Sequence, residues 1–370
     1  MAEPLKNHFG ADVPAVLARS IAAVHPHFPV KAFVYDALKG FEALALTTRG
    51  RHLAAALHRH LPAAYPEAVD ILVRSSALPP ERAVASGMAG FFYMPHCFFI
   101  AEHGLGHLPE SFAAQHALTQ KFTCEFSIRP FLIHHPKPTL AQLRQWANDP
   151  NEHVRRLVSE GTRPRLPWAM RLPAFQANPQ PVLDLLELLK DDPALYVRRS
   201  VANNLNDIGK DHPQVLVDVA RRWQAGATPE RDWVIRHALR WAVKQGQAGA
   251  LDALGFGRRA NVRIRKVAIS PPNARIGEAC TIAFELVNPV DQAQDLMVDF
   301  AIHYVKANGS TRAKVFKLKA LTLPAGGVQA FHKRVSLQEM TTRRHFPGLH
   351  PVDLVVNGQA TRIGSFQLVR

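Results

Sequence analysis

The feature that most constrains this 370-residue chain is a change of periodicity near residue 258. Before it, apolar residues recur every three or four positions, as in VPAVLARSIAAV, RHLAAALHRHL, PEAVDILVRSSA, PVLDLLELLK and HPQVLVDVARRW, with prolines at the joins. That spacing gathers apolar side chains on one face of a helix. After it come short alternating runs, VRIRKVAIS, CTIAFELVN, MVDFAIHYV, AKVFKLKAL, QAFHKRVSL, VDLVVNG and IGSFQLV, parted by turn segments such as SPPNARIG, KANGST and LPAGG. A period of two describes half-buried strands, and about seven of them in this length read as an antiparallel β-sandwich. The spacing therefore predicts a multidomain chain, with an all-α domain over residues 1–258 and an immunoglobulin-like sandwich over 259–370. The cysteine pair of true immunoglobulin domains is absent, so only the architecture is expected.

The helical part repeats itself. DPNEHVRRLVSEG is echoed 43 residues later by DPALYVRRSVANN, which lays Val154, Arg155 and Arg156 over Val197, Arg198 and Arg199. A weaker echo, ERDWVIRHALRWA, brings in Val234, Ile235 and Arg236. A period near forty residues with a proline turn is the signature of HEAT-like repeats, which stack into a curved solenoid. Chance similarity of two helices is the plainer alternative; the shared D-P-x-x-x-V-R-R string argues against it.

On the first repeated helix Val154, Leu157 and Val158 form the expected buried stripe, with Glu152, Arg156 and Glu160 on the opposite side. The alignment carries this polar stripe onward, matching Arg156 with Arg199 and Arg236, and Glu160 with Asn203 and Arg240. One face of the solenoid is thus expected to hold Arg156, Arg199, Arg236 and Arg240 together with two acids, Glu160 and Asp207. Arginines on such a face suit the phosphates of a duplex. An acid among them repels phosphate, so its presence asks for a reason. One reason is a surface ion pair between Arg156 and Glu160; the other is chemistry on the bound polyanion. A third acid, Glu125, lies among Phe122, Phe126 and Phe131, and either works there or points to water from a helix. Trp168 follows the rigid RPRLP turn and is either a packing residue or a ring offered to bases or cations.

Charge supports a nucleic-acid partner. The chain carries 45 lysines and arginines against 30 acids, and residues 259–370 hold 16 against 7. Such an excess favours a polyanion, nucleic acid before membrane. Lys314, Lys317 and Lys319, and the TTRRHFPGLH segment with Arg343, Arg344 and His345, are the expected contacts of the sandwich. Alternation puts Lys317 and Lys319 on one face and Phe316 and Leu318 on the other; protection of a sheet edge is the alternative use of such lysines. Three scattered cysteines without a CxxC pair argue against a disulfide framework or zinc site and fit a reducing compartment. The first residues lack the apolar core of a signal peptide, and the apolar run MAGFFYMPHCFFIA is too short to span a bilayer. A cytoplasmic, monomeric protein with no membrane association, no obligate protein partner and no metal or cofactor is expected.

NEHVRRLVSEGTRPRLPW, with FTCEFSIRPFL upstream, resembles the AlkC branch of the HEAT-repeat DNA alkylation-repair glycosylases. The similarity covers most of residues 1–258, and the β-rich end resembles the immunoglobulin-like domain that some members carry. The resemblance implies excision of cationic bases such as 3-methyladenine and 3-methylcytosine from double-stranded DNA, without flipping the base. By analogy it implies that Glu125, Glu160 and Asp207 are the catalytic carboxylates, with Arg156 and Trp168 inside the matched motif. A non-catalytic scaffold binding nucleic acid or an acidic protein through the same groove is the rival expectation.

Overall fold

A computed structural model describes residues 5–77, 89–257, 259–340 and 344–370. Among them, helices come first: α1 (Val13–Val24), α2 (Val30–Leu38), α3 (Leu46–His60), α4 (Tyr65–Ala77), α5 (Met94–His103), α6 (Leu108–Thr119), α7 (Ile128–His134) and α8 (Pro136–Trp146). They continue as α9 (Glu152–Gly161), α10 (Pro173–Ala177), α11 (Gln180–Leu189), α12 (Leu195–Asp211), α13 (Pro213–Gln224), α14 (Pro229–Lys244) and α15 (Ala248–Ala253). The prolines read as joins sit in the first turns of α1, α5, α6, α8, α10, α11 and α13, where the missing N–H has no helical acceptor to lose. No described helix is long and apolar enough to cross a membrane.

The sequence repeat has a structural cause. In α9 and α12 the first arginine of the Arg-Arg pair reaches back to the Asp-Pro segment before its own helix. Arg155 donates to the carbonyls of Asp149 (2.9 Å) and Pro150 (3.0 Å), and Arg198 to those of Asp192 (2.6 Å) and Pro193 (2.8 Å). Asp149 and Asp192 each accept the backbone N–H two residues on, at 2.8 and 2.9 Å, which fixes the turn. Arg155 also joins the two copies, its Nε standing 2.6 Å from Asp192 Oδ2. The third echo lacks this clasp, because buried Ile235 occupies the matching position.

The remainder is β-structure in two sheets. One has strand order β1 (Arg263–Ser270), β3 (Ala279–Val287), β6 (Val328–Ser336). The other runs β2 (Asn273–Arg275), β8 (Gln359–Val369), β7 (Gly348–Val356), β4 (Gln294–Val305), β5 (Thr311–Leu323). All pairings are antiparallel except β2 with β8, and β2 falls in the SPPNARIG segment that the sequence marks as a turn. Alternate residues of both sheets meet in one core containing Phe284, Phe331, Phe300, Leu354 and Phe366.

Packing divides the chain into two compact units, Ala2–Asp211 with Ala227–Ala238, and His212–Gly226 with Leu239–Arg370. Helix therefore gives way to strand between Ala253 and Arg263, while α13, α15 and the end of α14 pack with the strands. Their contact is close: a Cβ on Gly246 would stand 3.1 Å from the carbonyl oxygen of Gly358.

Candidate active site

Helix α9 begins at Asn151, whose side chain accepts the His153 N–H at 2.9 Å, and buries Val154, Leu157 and Val158 completely. The polar stripe does not stay on the outside as the spacing predicts. Glu152 is exposed, Arg156 is half-buried, and Glu160 retains only 6% of its surface. The cause is α12, which packs across the last turns of α9. Ser159 and Ser200 share a 2.7 Å hydrogen bond there, and Asn204 donates to the Ser159 carbonyl at 2.7 Å.

The three acids expected from the sequence are brought into one network. Glu160 accepts Arg163 Nη1 on Oε1 at 2.7 Å and the Ser200 hydroxyl on Oε2 at 2.6 Å. Arg163 turns its other edge to Asp207, with Nε and Nη2 at 2.9 and 2.8 Å from Oδ2, while Lys210 holds Oδ1 at 2.8 Å. Arg156 lies 3.6 Å from Glu160 and 3.1 Å from Glu125, which also accepts the Thr123 hydroxyl at 2.7 Å. The order is Glu125, Arg156, Glu160, Arg163, Asp207: three carboxylates strung on two guanidinium groups. Glu125 and Asp207 are 9% and 2% exposed. Glu125 sits in the turn before α7 instead of on a helix, and its carboxylate faces Thr123 and Arg156.

Electrostatics follow from burial and neighbours. Burial pushes the Glu125 carboxyl above its ordinary value; Arg156 pulls it back, and the Glu160 charge pushes it up again. Burial works against the Arg163 charge, but Glu160 and Asp207 more than offset it and raise its pKa, so it stays a cation. Arg156 also lies over the Tyr196 ring, 4.8 Å from its centroid. Thr123, Arg163, Tyr196 and Ser200 are site residues that the stripe argument missed. Only Arg163 had a visible signal, three residues after Glu160.

A second missed residue shapes the adjoining loop. Arg129, fully buried, donates to the carbonyls of Gly161 (2.9 Å), Arg163 (2.9 Å) and Met170 (2.8 Å). Burial lowers its pKa to about 10, still a cation at neutral pH. It ties both ends of the segment that carries Trp168. That indole is 69% exposed and its backbone stands at φ +64°, a left-handed conformation that bulky residues seldom adopt. Trp168 is thus a displayed ring, and the packing alternative is set aside.

The arginines of this stretch do not form a free phosphate ridge. Arg155 is paired with Asp192, Arg156 with Glu125 and Glu160, Arg163 with Glu160 and Asp207, and Arg165 with Asp211. Arg156 is therefore corrected from a phosphate clamp to a bridge between acids. Farther along the expected stripe, Arg199 is exposed, Arg236 is exposed but paired with its own Asp232 at 2.6 Å, and Arg240 is half-buried. In the sandwich Lys317 and Lys319 are exposed, as is Arg344, and Lys314 lies 5.2 Å over the Phe316 ring. His345 is corrected as a contact: it is 5% exposed, packed on Tyr304. Arg343 lies outside the described residues.

Comparison with known proteins agrees with this picture of a helical body followed by a β-sandwich. The structure of Pseudomonas fluorescens alkylpurine DNA glycosylase AlkC, bound to DNA containing an abasic site analog, superposes over the whole of both chains with a TM-score of 0.92 and 39% identity. Fold and sequence together define the class as helical DNA glycosylases that carry a C-terminal immunoglobulin-like domain. Residues 263–370 match the family model described as the C-terminal Ig-like domain of uncharacterised protein YhaZ. The chain belongs to the AlkC-type family; protein YhaZ of Bacillus subtilis (strain 168) is 36% identical to it over 98% of this chain and 99% of its own length.

Proposed function

We propose that this protein is a monofunctional DNA glycosylase that excises positively charged N3-alkylated bases, 3-methyladenine and 3-methylcytosine, from double-stranded DNA as a step of base excision repair. The observation that carries the reading is the string of three buried carboxylates on two arginines beside a displayed indole. An N3-methylated base is already cationic. Breaking its bond to C1′ returns the electron pair to the ring and releases a neutral base, so no strong general acid is needed. The demanding species is the oxocarbenium-like sugar, with the water that must attack it. A carboxylate held ionised near C1′ stabilises that cation, orients the water and accepts its proton. Glu160 takes this role, with Glu125 and Asp207 supporting it, and Arg156 and Arg163 hold the acids in place. Trp168 attracts the lesion's charge through its ring while that charge persists, an approach from the duplex surface that leaves the base in the stack. Lys314, Lys317, Lys319, Arg344, Arg199, Arg236 and Arg240 serve the phosphates, with residues 1–258 supplying the chemistry and 259–370 added affinity.

One specific observation favours a second reading. Every acid of the cluster is ion-paired, as a purely structural network in a DNA- or acidic-protein-binding scaffold would require. A duplex bearing a single N3-methylated adenine or cytosine separates the two, scored for free base and alkali-labile sites. Wild type would be run beside Glu160→Gln, Asp207→Asn and Glu125→Gln. Release by wild type that collapses in an acid variant still able to bind DNA supports the glycosylase and identifies its carboxylate. Binding without release on both lesions leaves the scaffold.

A further inference from the structure

Within the unit formed by His212–Gly226 and Leu239–Arg370 there is a cavity of about 760 Å³. It opens where the β4–β5 hairpin, the end of α14 and the segment before β7 converge. Five cationic side chains line it, Lys244, Lys306, Arg312, Lys314 and Arg344, and no acid does. None of the five is ion-paired among the described residues, whereas every arginine of residues 155–165 is. Five like charges around one space repel one another, and an anion inside relieves that repulsion.

The hairpin register shows how two of the five come to face inward. Phe316 stacks on the core residue Phe300 at 4.9 Å, and β4 and β5 pair without irregularity from there to Thr311. Alternation then puts Lys314 and Arg312 on the same face as Phe316, the face that elsewhere in the sheet packs the core. β5 is the edge of its sheet, and an inward charge can guard an edge against pairing. Edge protection accounts for a charge on β5; it does not account for Lys244, Lys306 and Arg344, which reach the same space from three other segments. Nor does it account for the rings of Trp241 and Tyr304 in the wall. Flat rings with phosphate-seeking cations around a half-open cleft of this size suit one nucleotide, its base on a ring and its phosphates on the cations.

We infer that this cavity binds a single phosphate-bearing nucleotide, its phosphates on Arg312, Lys314, Lys244 and Arg344 and its base against Trp241. This second site lies apart from the carboxylate cluster and does not require base excision, although its Lys314 and Arg344 are also named above as duplex contacts. The same chemistry has two sources, a free nucleoside phosphate or an unpaired nucleotide of a DNA strand. Full-length protein would be titrated with adenosine diphosphate bearing a fluorescent ribose label, with a short single-stranded oligonucleotide of the same dye, and with inorganic pyrophosphate as competitor. The expected result is saturable binding of a nucleotide probe that weakens by roughly ten-fold or more in Arg312→Ala/Lys314→Ala. Trp241→Ala should weaken the nucleotide probe while pyrophosphate competes as before. Lys333→Ala, an exposed cation on β6 of the other sheet, should leave binding unchanged. Binding of labelled diphosphate assigns the free nucleotide; binding of the strand alone assigns DNA. Absence of binding to both probes overturns the inference. So does binding that is indifferent to Trp241→Ala, because a site for anions alone would remain.

Discussion

The arginines of residues 155–165 and the cations around the sandwich cavity look alike in a charge count, yet they are in opposite states. Each of the four arginines is matched with a carboxylate supplied from at least 31 residues away, Glu125 on one side or Asp192, Asp207 and Asp211 on the other. Among the described residues the five cavity cations have no such partners. Positive charge close to an acid on a neighbouring repeat builds and orients a site, whereas positive charge without an acid is what a phosphate can use. Net charge of +15 therefore overstates how much of the helical part is available to DNA.

The sharpest way to break this comparison is to remove the central arginine. Arg163→Met leaves Glu160 and Asp207 buried without their shared cation, and the expected loss is about 3–5 kcal/mol of stability, measured by urea unfolding. A loss within the range of an exposed arginine would mean that the network is a surface ornament. Next in size is Glu160→Gln. Base release should fall by about 10²–10³-fold, on the order of 3–4 kcal/mol, with duplex affinity unchanged.

A smaller effect tests the other side of the contrast. Lys317→Ala and Lys319→Ala should each flatten the slope of log affinity against log salt by roughly 0.9. Arg165→Ala, whose partner is Asp211, should leave that slope alone. Equal slopes for all three would erase the distinction between paired and unpaired cations. The subtlest expectation concerns pH. Burial raises the Glu125 carboxyl, so its contribution to stability is full below the ordinary glutamate value and is lost as pH rises through the raised one. The stability of Glu125→Gln relative to wild type should therefore climb over that window, as read by urea titrations at successive pH values. A flat difference would mean that Glu125 is ionised there as easily as in the unfolded chain.

Much of the fold was legible because hydrophobic period is a local property. Helices, strands, the α-to-β change and the repeat all register within a dozen residues, and Arg155 and Arg198 show why the repeat string is kept. The sequence did not reveal that α13, α15 and the end of α14 pack with the strands, because packing partners leave no periodic trace. The site was half legible. Acids in a basic stretch stand out by charge, and the structure gathers Glu125, Glu160 and Asp207 in one network. The roles of the arginines were not legible, since a stripe argument treats each helix as a cylinder and cannot see α12 crossing α9. Arg129, whose partners are carbonyl oxygens alone among the described residues, has no sequence signal beyond its presence in FSIRPF.

The left-handed backbone at Trp168 has a consequence for how this chain would evolve. A bulky residue in that conformation is strained by about 1–3 kcal/mol, and glycine or asparagine would sit there at ease. Under selection for heat resistance alone, residue 168 is where substitutions should accumulate first, and the survivors should be sturdier proteins without the ring proposed to face the lesion. Populations required to repair alkylated DNA should keep the indole and tolerate the lower melting point.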